Sequence, residues 1–154
     1  MVDIISLFAY YGVMTSGRYL GIDYGRRRIG VALSDPTGLI AQPLTTLSVT
    51  GIDKAAAEIA RLAGDNEVVG IVVGIPASMS GKPSETSLEV GKFIAVLKRL
   101  LDLPVHGEDE RLSSRMAEQV LHAHGKHIKG QKETIDRISA AVILQSFLDR
   151  ERRG

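Results

Sequence analysis

The chain has 154 residues, a length that fits one compact domain able to bury its own core. Its composition, 44% hydrophobic and 24% charged, is that of an ordinary soluble protein, and the lack of cysteine excludes disulfides, thiolate metal sites and cysteine nucleophiles. A net charge of only +1 excludes a global basic field, but the charge is unevenly spread: residues 1–28 carry +2, residues 29–110 carry −5 and residues 111–154 carry +4.

Residues 1–13 (MVDIISLFAYYGV) are apolar yet shorter than the roughly 20 residues a membrane helix needs. Asp3 stands where a secretory signal carries a cation, so neither membrane insertion nor export is expected. Met14 reads as a natural start. The expected organisation is an N-terminal extension over residues 1–13 with no assigned role, then a single domain over residues 14–154, in a reducing, cytoplasmic setting.

Residues 18–23 (RYLGID) read as a first strand and residues 29–34 (IGVALS) as a second, joined by a tight YGRRR hairpin. Residues 39–47 give a third extended piece, which Pro43 marks as an edge or an interruption. Ile52, Ala55, Ala56, Ile59, Ala60 and Ala63 then recur at helical spacing, with Gly64 placed to stop the helix. The unbroken apolar run of residues 68–73 (VVGIVV) is the mark of a strand buried on both faces. A Gly/Pro/Ser loop over residues 77–85 follows, with gating of substrate entry as its candidate role. Beyond it come a helix over residues 88–101, a short strand over 103–106 and a helix over 111–122. After a basic loop over 122–132, Thr134 is placed to cap a last helix whose apolar face runs through Ile135, Ile138, Val142 and Leu148.

An antiparallel three-strand start feeding right-handed crossovers predicts an α/β fold, a mixed five-stranded sheet flanked by helices. That order belongs to the ribonuclease H-like group. With the first strand central, the ends of the parallel strands open on one side of the sheet, where α/β ligand sites lie.

Three acidic positions converge on that side. Asp23 ends the first strand, Glu108-Asp109-Glu110 follows the short strand, and Asp136 lies in the first turn of the last helix. Each alone has an ordinary explanation: a turn aspartate, a solvated acidic loop, an acid favoured by the helix dipole. Together, carboxylates from separate strand ends and a helix start can hold a pair of cations for attack on a phosphodiester. The four histidines (106, 122, 124 and 127) make no convincing zinc set, and no Ser/His/Asp arrangement is apparent. Arg26, Arg27 and Arg28 on the hairpin, and Lys126, His127, Lys129 and Lys132 before the last helix, suit backbone phosphates without reading sequence. With 5% aromatic residues and no tryptophan, recognition by base stacking is not supported.

The blocks GIDYGRRRIGVALSD, VVGIPASMSGKPSE, EDERLSS and KETIDRISAAVILQSFLD, in this order over residues 18–149, resemble the YqgF/RuvX family. Its bacterial members are known as pre-16S rRNA nucleases or Holliday junction resolvase-like proteins. The resemblance implies a ribonuclease H-like fold and cleavage of nucleic acid dependent on Mg²⁺ or Mn²⁺, in maturation of the 5′ end of 16S rRNA. The family's acids carry over onto Asp23, onto Asp109 or Glu110, and onto Asp136, and Arg111 and Lys132 match basic positions. Catalysis is expected of Asp23, Glu110 and Asp136. Ser113-Ser114 replaces the usual Thr-Thr, and Gly107-Glu108 stands where a bulkier residue often precedes DERL.

The implied partners are precursor rRNA, branched DNA as the alternative, and ribosomal particles, with the protein a monomer or homodimer. Two other classes stand beside the nuclease. A non-catalytic RNA-binding ribosome-assembly factor would keep the fold without its chemistry. A kinase or ATPase, suggested by the D-x-G hairpin, needs two domains closing over a nucleotide, for which this chain is too short.

Overall fold

A computed structural model describes residues 17–76, 84–111, 113–123 and 130–153. The extension expected over residues 1–13 and most of the expected gating loop lie outside these residues. Strands β1 (Tyr19–Tyr24), β2 (Ile29–Ser34) and β3 (Ala41–Leu47) form the antiparallel meander. Helix α1 (Ile52–Asp65) leads to β4 (Gly70–Ile75), α2 (Glu85–Leu100) to β5 (Val105–Asp109), and α3 (Ser113–Ala123) and α4 (Lys132–Arg153) complete the order. The sheet runs β3-β2-β1-β4-β5, with β4 and β5 parallel to the central β1. The mixed five-stranded sheet expected from the sequence is the one observed.

Period-two alternation sorts every strand residue onto one of two faces. One face presents Leu20, Ile22, Ile29, Val31, Ile71 and Val73 to Ile59 of α1 and to Phe93 and Leu97 of α2. The other presents Ala32 and Val72 to Ala140, Ile143, Leu144 and Phe147 of α4. At Gly21, Gly30, Ala32 and Gly74 this second face is small, which lets α4 lie close to the sheet. A Cβ on Gly21 would come within 2.6 Å of Leu144 Cβ, and one on Gly30 within 1.9 Å of the Asp136 carbonyl oxygen. Both glycines therefore admit the helix where any side chain would push it away.

Several boundaries differ from the sequence expectation, each for a local reason. Val68 still belongs to the exit from α1, because its N–H donates to the Ala63 carbonyl at 3.1 Å. Gly64 lies inside the last turn of α1, and Asn66 caps it. Ser84 caps α2 by accepting the Ser87 N–H at 3.1 Å, so this helix starts earlier than expected. β5 runs on through Gly107-Glu108-Asp109, held by parallel pairing with Val73, Gly74 and Ile75. α4 begins at Lys132, which puts Thr134 inside its first turn and Asp136 in the second. Pro43 sits on the edge strand, as expected, next to a register shift at Val31/Ala32.

Candidate active site

Asp23 lies near the end of the central strand, on the face that α4 covers. It pairs in register with Gly30, and Gly30 in turn meets the backbone of Asp136, so the close approach of α4 carries Asp136 to Asp23. Glu110 arrives from the other side. Its backbone N–H donates to the Ile75 carbonyl at 3.2 Å, extending the β4–β5 ladder by one residue. Its side chain rests over Gly74, where a Cβ would fall 2.5 Å from Glu110 Oε2. Two neighbouring glycine positions, one beside Asp23 and one beneath Glu110, thus make the room in which the acids meet.

The electrostatics follow from that enclosure. The Asp23 carboxyl is pushed up to about 8, first by burial, then by the charge and hydrogen bond of Glu110, and then by the charge of Asp136. Glu110 is also raised by burial, with the charge of Asp109 adding to the effect and the hydrogen bond from Asp23 opposing it. Within the pair Asp23 is the hydrogen-bond donor and Glu110 the acceptor, and burial raises both carboxyls. Two adjacent carboxyls taken from water cannot both ionise cheaply unless a cation joins them.

The third acid is engaged elsewhere. Asp136 Oδ2 lies 2.6 Å from Nε of Arg28, and both side chains are partly buried. Among the described residues no group of three His, Asp or Glu side chains is placed to hold a metal ion.

The acidic tripeptide divides by strand alternation. Asp109 faces away from α4: it is exposed, its Oδ1 accepts the Arg111 N–H at 2.9 Å, and its Oδ2 lies 3.7 Å from Arg111 Nη2. Glu108 and Glu110 face α4. Glu108 is 6% exposed and ties β5 to that helix, with Arg150 Nη2 at 2.8 Å from Oε2 and Ser146 Oγ donating to Oε1 at 3.2 Å. The structure thus pairs Asp23 with Glu110, brings Asp136 within electrostatic reach of Asp23 while Arg28 holds it, and leaves Asp109 outside. His106 is a packing residue, its ring centroid 4.8 Å from that of Phe147.

The expected basic residues scatter. Arg26 reaches α2, at 2.7 Å from Glu85 and 3.1 Å from Glu89. Arg27 is exposed, Arg111 is exposed and held by Asp109, and Arg28 holds Asp136. Lys132 opens α4 at the rim of a cavity shared with Arg28 and Arg137. Lys126, Lys129 and His127 lie outside the described residues. Sequence reasoning did not single out Arg137 or Arg150, and it named Glu108 only as one of three acids in a row. Only the i to i+2 step from Glu108 to Glu110 was visible as a signal, and only once β5 was known to continue.

A mixed five-stranded sheet with a long helix laid across one face is the ribonuclease H-like architecture, and the family and relatives that the chain matches are nucleases, which makes it a hydrolase acting on ester bonds. The family model described as "RuvX: Holliday junction resolvase" matches residues 17–150, and the chain belongs to this family. A relative from Chloroflexus aggregans, named "Putative pre-16S rRNA nuclease", is 42% identical over 139 residues, covering 90% of this chain and 98% of that protein. Another of the same name, from Koribacter versatilis, is 44% identical over 138 residues, covering 90% and 89%. Among solved structures, T. thermophilus RuvC in complex with a Holliday junction substrate superimposes with a TM-score of 0.58 at 15% identity, over 87% of this chain and 95% of that one. Fowlpox virus resolvase with Holliday junction DNA gives 0.54 at 10% identity, over 86% and 97%. These likenesses establish the shared fold. No helix among the described residues is long and apolar enough to cross a membrane.

Proposed function

We propose that this protein is a divalent-cation-dependent nuclease that trims the 5′ end of precursor 16S rRNA in the cytoplasm, with Asp23, Glu110 and Asp136 as the acids that hold the cation. One observation carries the reading: the carboxyls of Asp23, near the end of β1, and Glu110, just past β5, face each other within hydrogen-bond reach in a partly buried setting that raises both. The donor set fits a hard cation. It offers carboxylate oxygens alone, with no thiolate, and a cation of the Mg²⁺ or Mn²⁺ type would take the place of the proton between them.

When bound, such a cation supplies a water of lowered pKa and stabilises charge on the leaving oxygen. The chain's own residues do the rest. Asp23, once deprotonated, and Glu110 present fixed negative charge in a site whose walls are the buried ends of β1 and β4. Asp136 adds a third carboxylate when Arg28 releases it. Arg28, Lys132 and Arg137 lie along one side, suited to hold the substrate backbone through its phosphates. In the overall reaction a water oxygen bonds to phosphorus, the bond from phosphorus to the leaving oxygen breaks, and that oxygen takes up a proton.

The names of the relatives support rRNA as substrate, and the description of the family supports a second reading, junction DNA. Junction resolution needs two sites in a dimer. Cleavage of a precursor 16S rRNA 5′-leader fragment and of a DNA four-way junction, each with Mg²⁺, Mn²⁺ or EDTA, separates the two readings. Cation-dependent cutting of the leader, abolished in Asp23→Asn, is expected. Selective cutting of the junction would favour the second reading. If Asp23→Asn cuts as well as wild type, the carboxylate assignment is wrong.

A further inference from the structure

Arg28 belongs to two places at once. Its Nε lies 2.6 Å from Asp136 Oδ2, and it also lines a cavity of ≈ 350 Å³ with Gly130, Lys132, Glu133, Thr134 and Arg137. The cavity opens at the first turn of α4, where the helix dipole favours an anion. Arg137 is braced there by neutral partners: Nη1 donates to Thr46 Oγ1 at 3.3 Å and Nη2 to Thr134 Oγ1 at 3.0 Å. Thr46 is itself fixed, donating to the Glu133 carbonyl at 2.7 Å. Among the described residues neither Lys132 nor Arg137 has a carboxylate partner. Three cations therefore face a cavity that holds one carboxylate side chain, Glu133. Such a place favours an added anion, and a guanidinium that lines it can turn from one oxyanion to another at little cost.

We propose that this cavity is a subsite for a backbone phosphate of the nucleic-acid substrate, and that a phosphate seated there draws Arg28 away from Asp136, freeing that carboxylate for the cation. The inference rests on the metal-nuclease reading above. It assigns Arg137, which the sequence did not single out, to substrate binding. It also gives Arg28 a second role, as the group that keeps the acid cluster incomplete until substrate arrives. Cation and nucleic acid then bind cooperatively, each tightening the other by the same factor.

The test uses the full chain freed of metal with EDTA. Mn²⁺ binding is measured by calorimetry for wild type, Arg28→Gln, Arg28→Lys and Asp23→Asn. Binding of a single-stranded 2′-O-methyl oligoribonucleotide is measured in EDTA over a range of salt for wild type and Arg137→Gln. Without oligonucleotide, Arg28→Gln is expected to bind Mn²⁺ about tenfold more tightly than wild type, because Asp136 is no longer held. Arg28→Lys, which keeps a cation beside Asp136, should stay much closer to wild type. Arg137→Gln should weaken the oligonucleotide and flatten the slope of log affinity against log salt by about 0.7, the signature of one lost phosphate contact. A merely structural role for Arg137 would leave that slope unchanged, and an unchanged slope overturns the subsite. Unchanged or weaker Mn²⁺ binding in Arg28→Gln, with weaker binding in Asp23→Asn, overturns the sharing of Arg28 while leaving the metal centre intact. If Asp23→Asn binds Mn²⁺ as wild type does, the metal centre as assigned fails and this inference fails with it.

Discussion

Gly30 and Asp136 are in direct backbone contact across the sheet–helix interface: a Cβ on Gly30 would lie 1.9 Å from the Asp136 carbonyl oxygen and 2.4 Å from its carbonyl carbon. Because Gly30 also pairs with Asp23, this one contact fixes the distance between the central strand's acid and the helix's acid. The obstacle is backbone, so it cannot swing aside as a flexible side chain would. Gly30→Ala is expected to cost about 1–3 kcal/mol by forcing α4 off the sheet. It should also lower nuclease activity more than that loss of stability accounts for, at a temperature where the variant is fully folded. Thermal melts and initial rates on one preparation check both; a melt and a rate unchanged from wild type would show that α4 tolerates the displacement.

The raised Asp23 carboxyl makes stability depend on pH in a definite direction. Its folded value of about 8 lies above the ordinary aspartate value of 3.8, so between these limits the folded state holds a proton that the unfolded chain has lost. The contribution is complete below about pH 4 and disappears as pH rises through about 8. Metal-free wild type should therefore lose stability across this window, by an amount on the order of 2–4 kcal/mol. Asp23→Asn should flatten the dependence and melt higher than wild type at pH 8.5. Denaturant titrations in EDTA at several pH values decide it, and parallel profiles for the two proteins would count against the proton on Asp23.

The neighbouring acids Asp109 and Glu110 are expected to part company on substitution. Glu110→Gln removes a member of the buried pair and should lower cation-dependent cleavage by at least about 100-fold, the scale on which a group acting on developing charge matters. Asp109→Asn touches an exposed residue whose partners are the backbone and side chain of Arg111, and should keep most of the activity. Side-by-side rates suffice, and equal losses would return Asp109 to the site.

Glu108 poses a structural question. Arg150→Ala would leave its carboxylate buried with, among the described residues, Ser146 as its hydrogen-bond donor. Breaking a fully buried pair costs about 3–5 kcal/mol, and since the Arg150 side chain is 58% exposed the expected loss is smaller, about 1–2 kcal/mol. Mn²⁺ affinity should not change. A loss of Mn²⁺ affinity in a folded Arg150→Ala protein would mean that Glu108 also faces the cation.

Much of this was legible in the sequence where a pattern is local. The alternation of IGVALS located β2 at its observed limits, residues Ile29–Ser34. The VVGIVV run marked a doubly covered strand, and the element order placed β1 at the centre. Legibility failed where distant partners decide. Gly107-Glu108-Asp109 reads as an acidic loop by composition, yet β4 supplies a ladder that keeps it extended. No local pattern marks the glycines of β1 and β2 for a role, and only the docked α4 shows that their missing side chains admit the helix. The three acids stood out in the sequence because strand ends and helix starts are where α/β sites gather. The grip of Arg28 on Asp136, 108 residues apart in sequence, leaves no local trace.

The most direct measurement of the central claim is the proton balance of cation binding. Mn²⁺ titrations of the EDTA-treated protein at pH 6.5, in buffers of differing ionisation enthalpy, count the protons released per ion bound. If Asp23 and Glu110 hold the cation, the ion displaces the proton between them, and about one proton should be released in wild type and almost none in Asp23→Asn, which should also bind far more weakly. Mn²⁺ binding without proton release, at the same affinity in both proteins, would contradict the account.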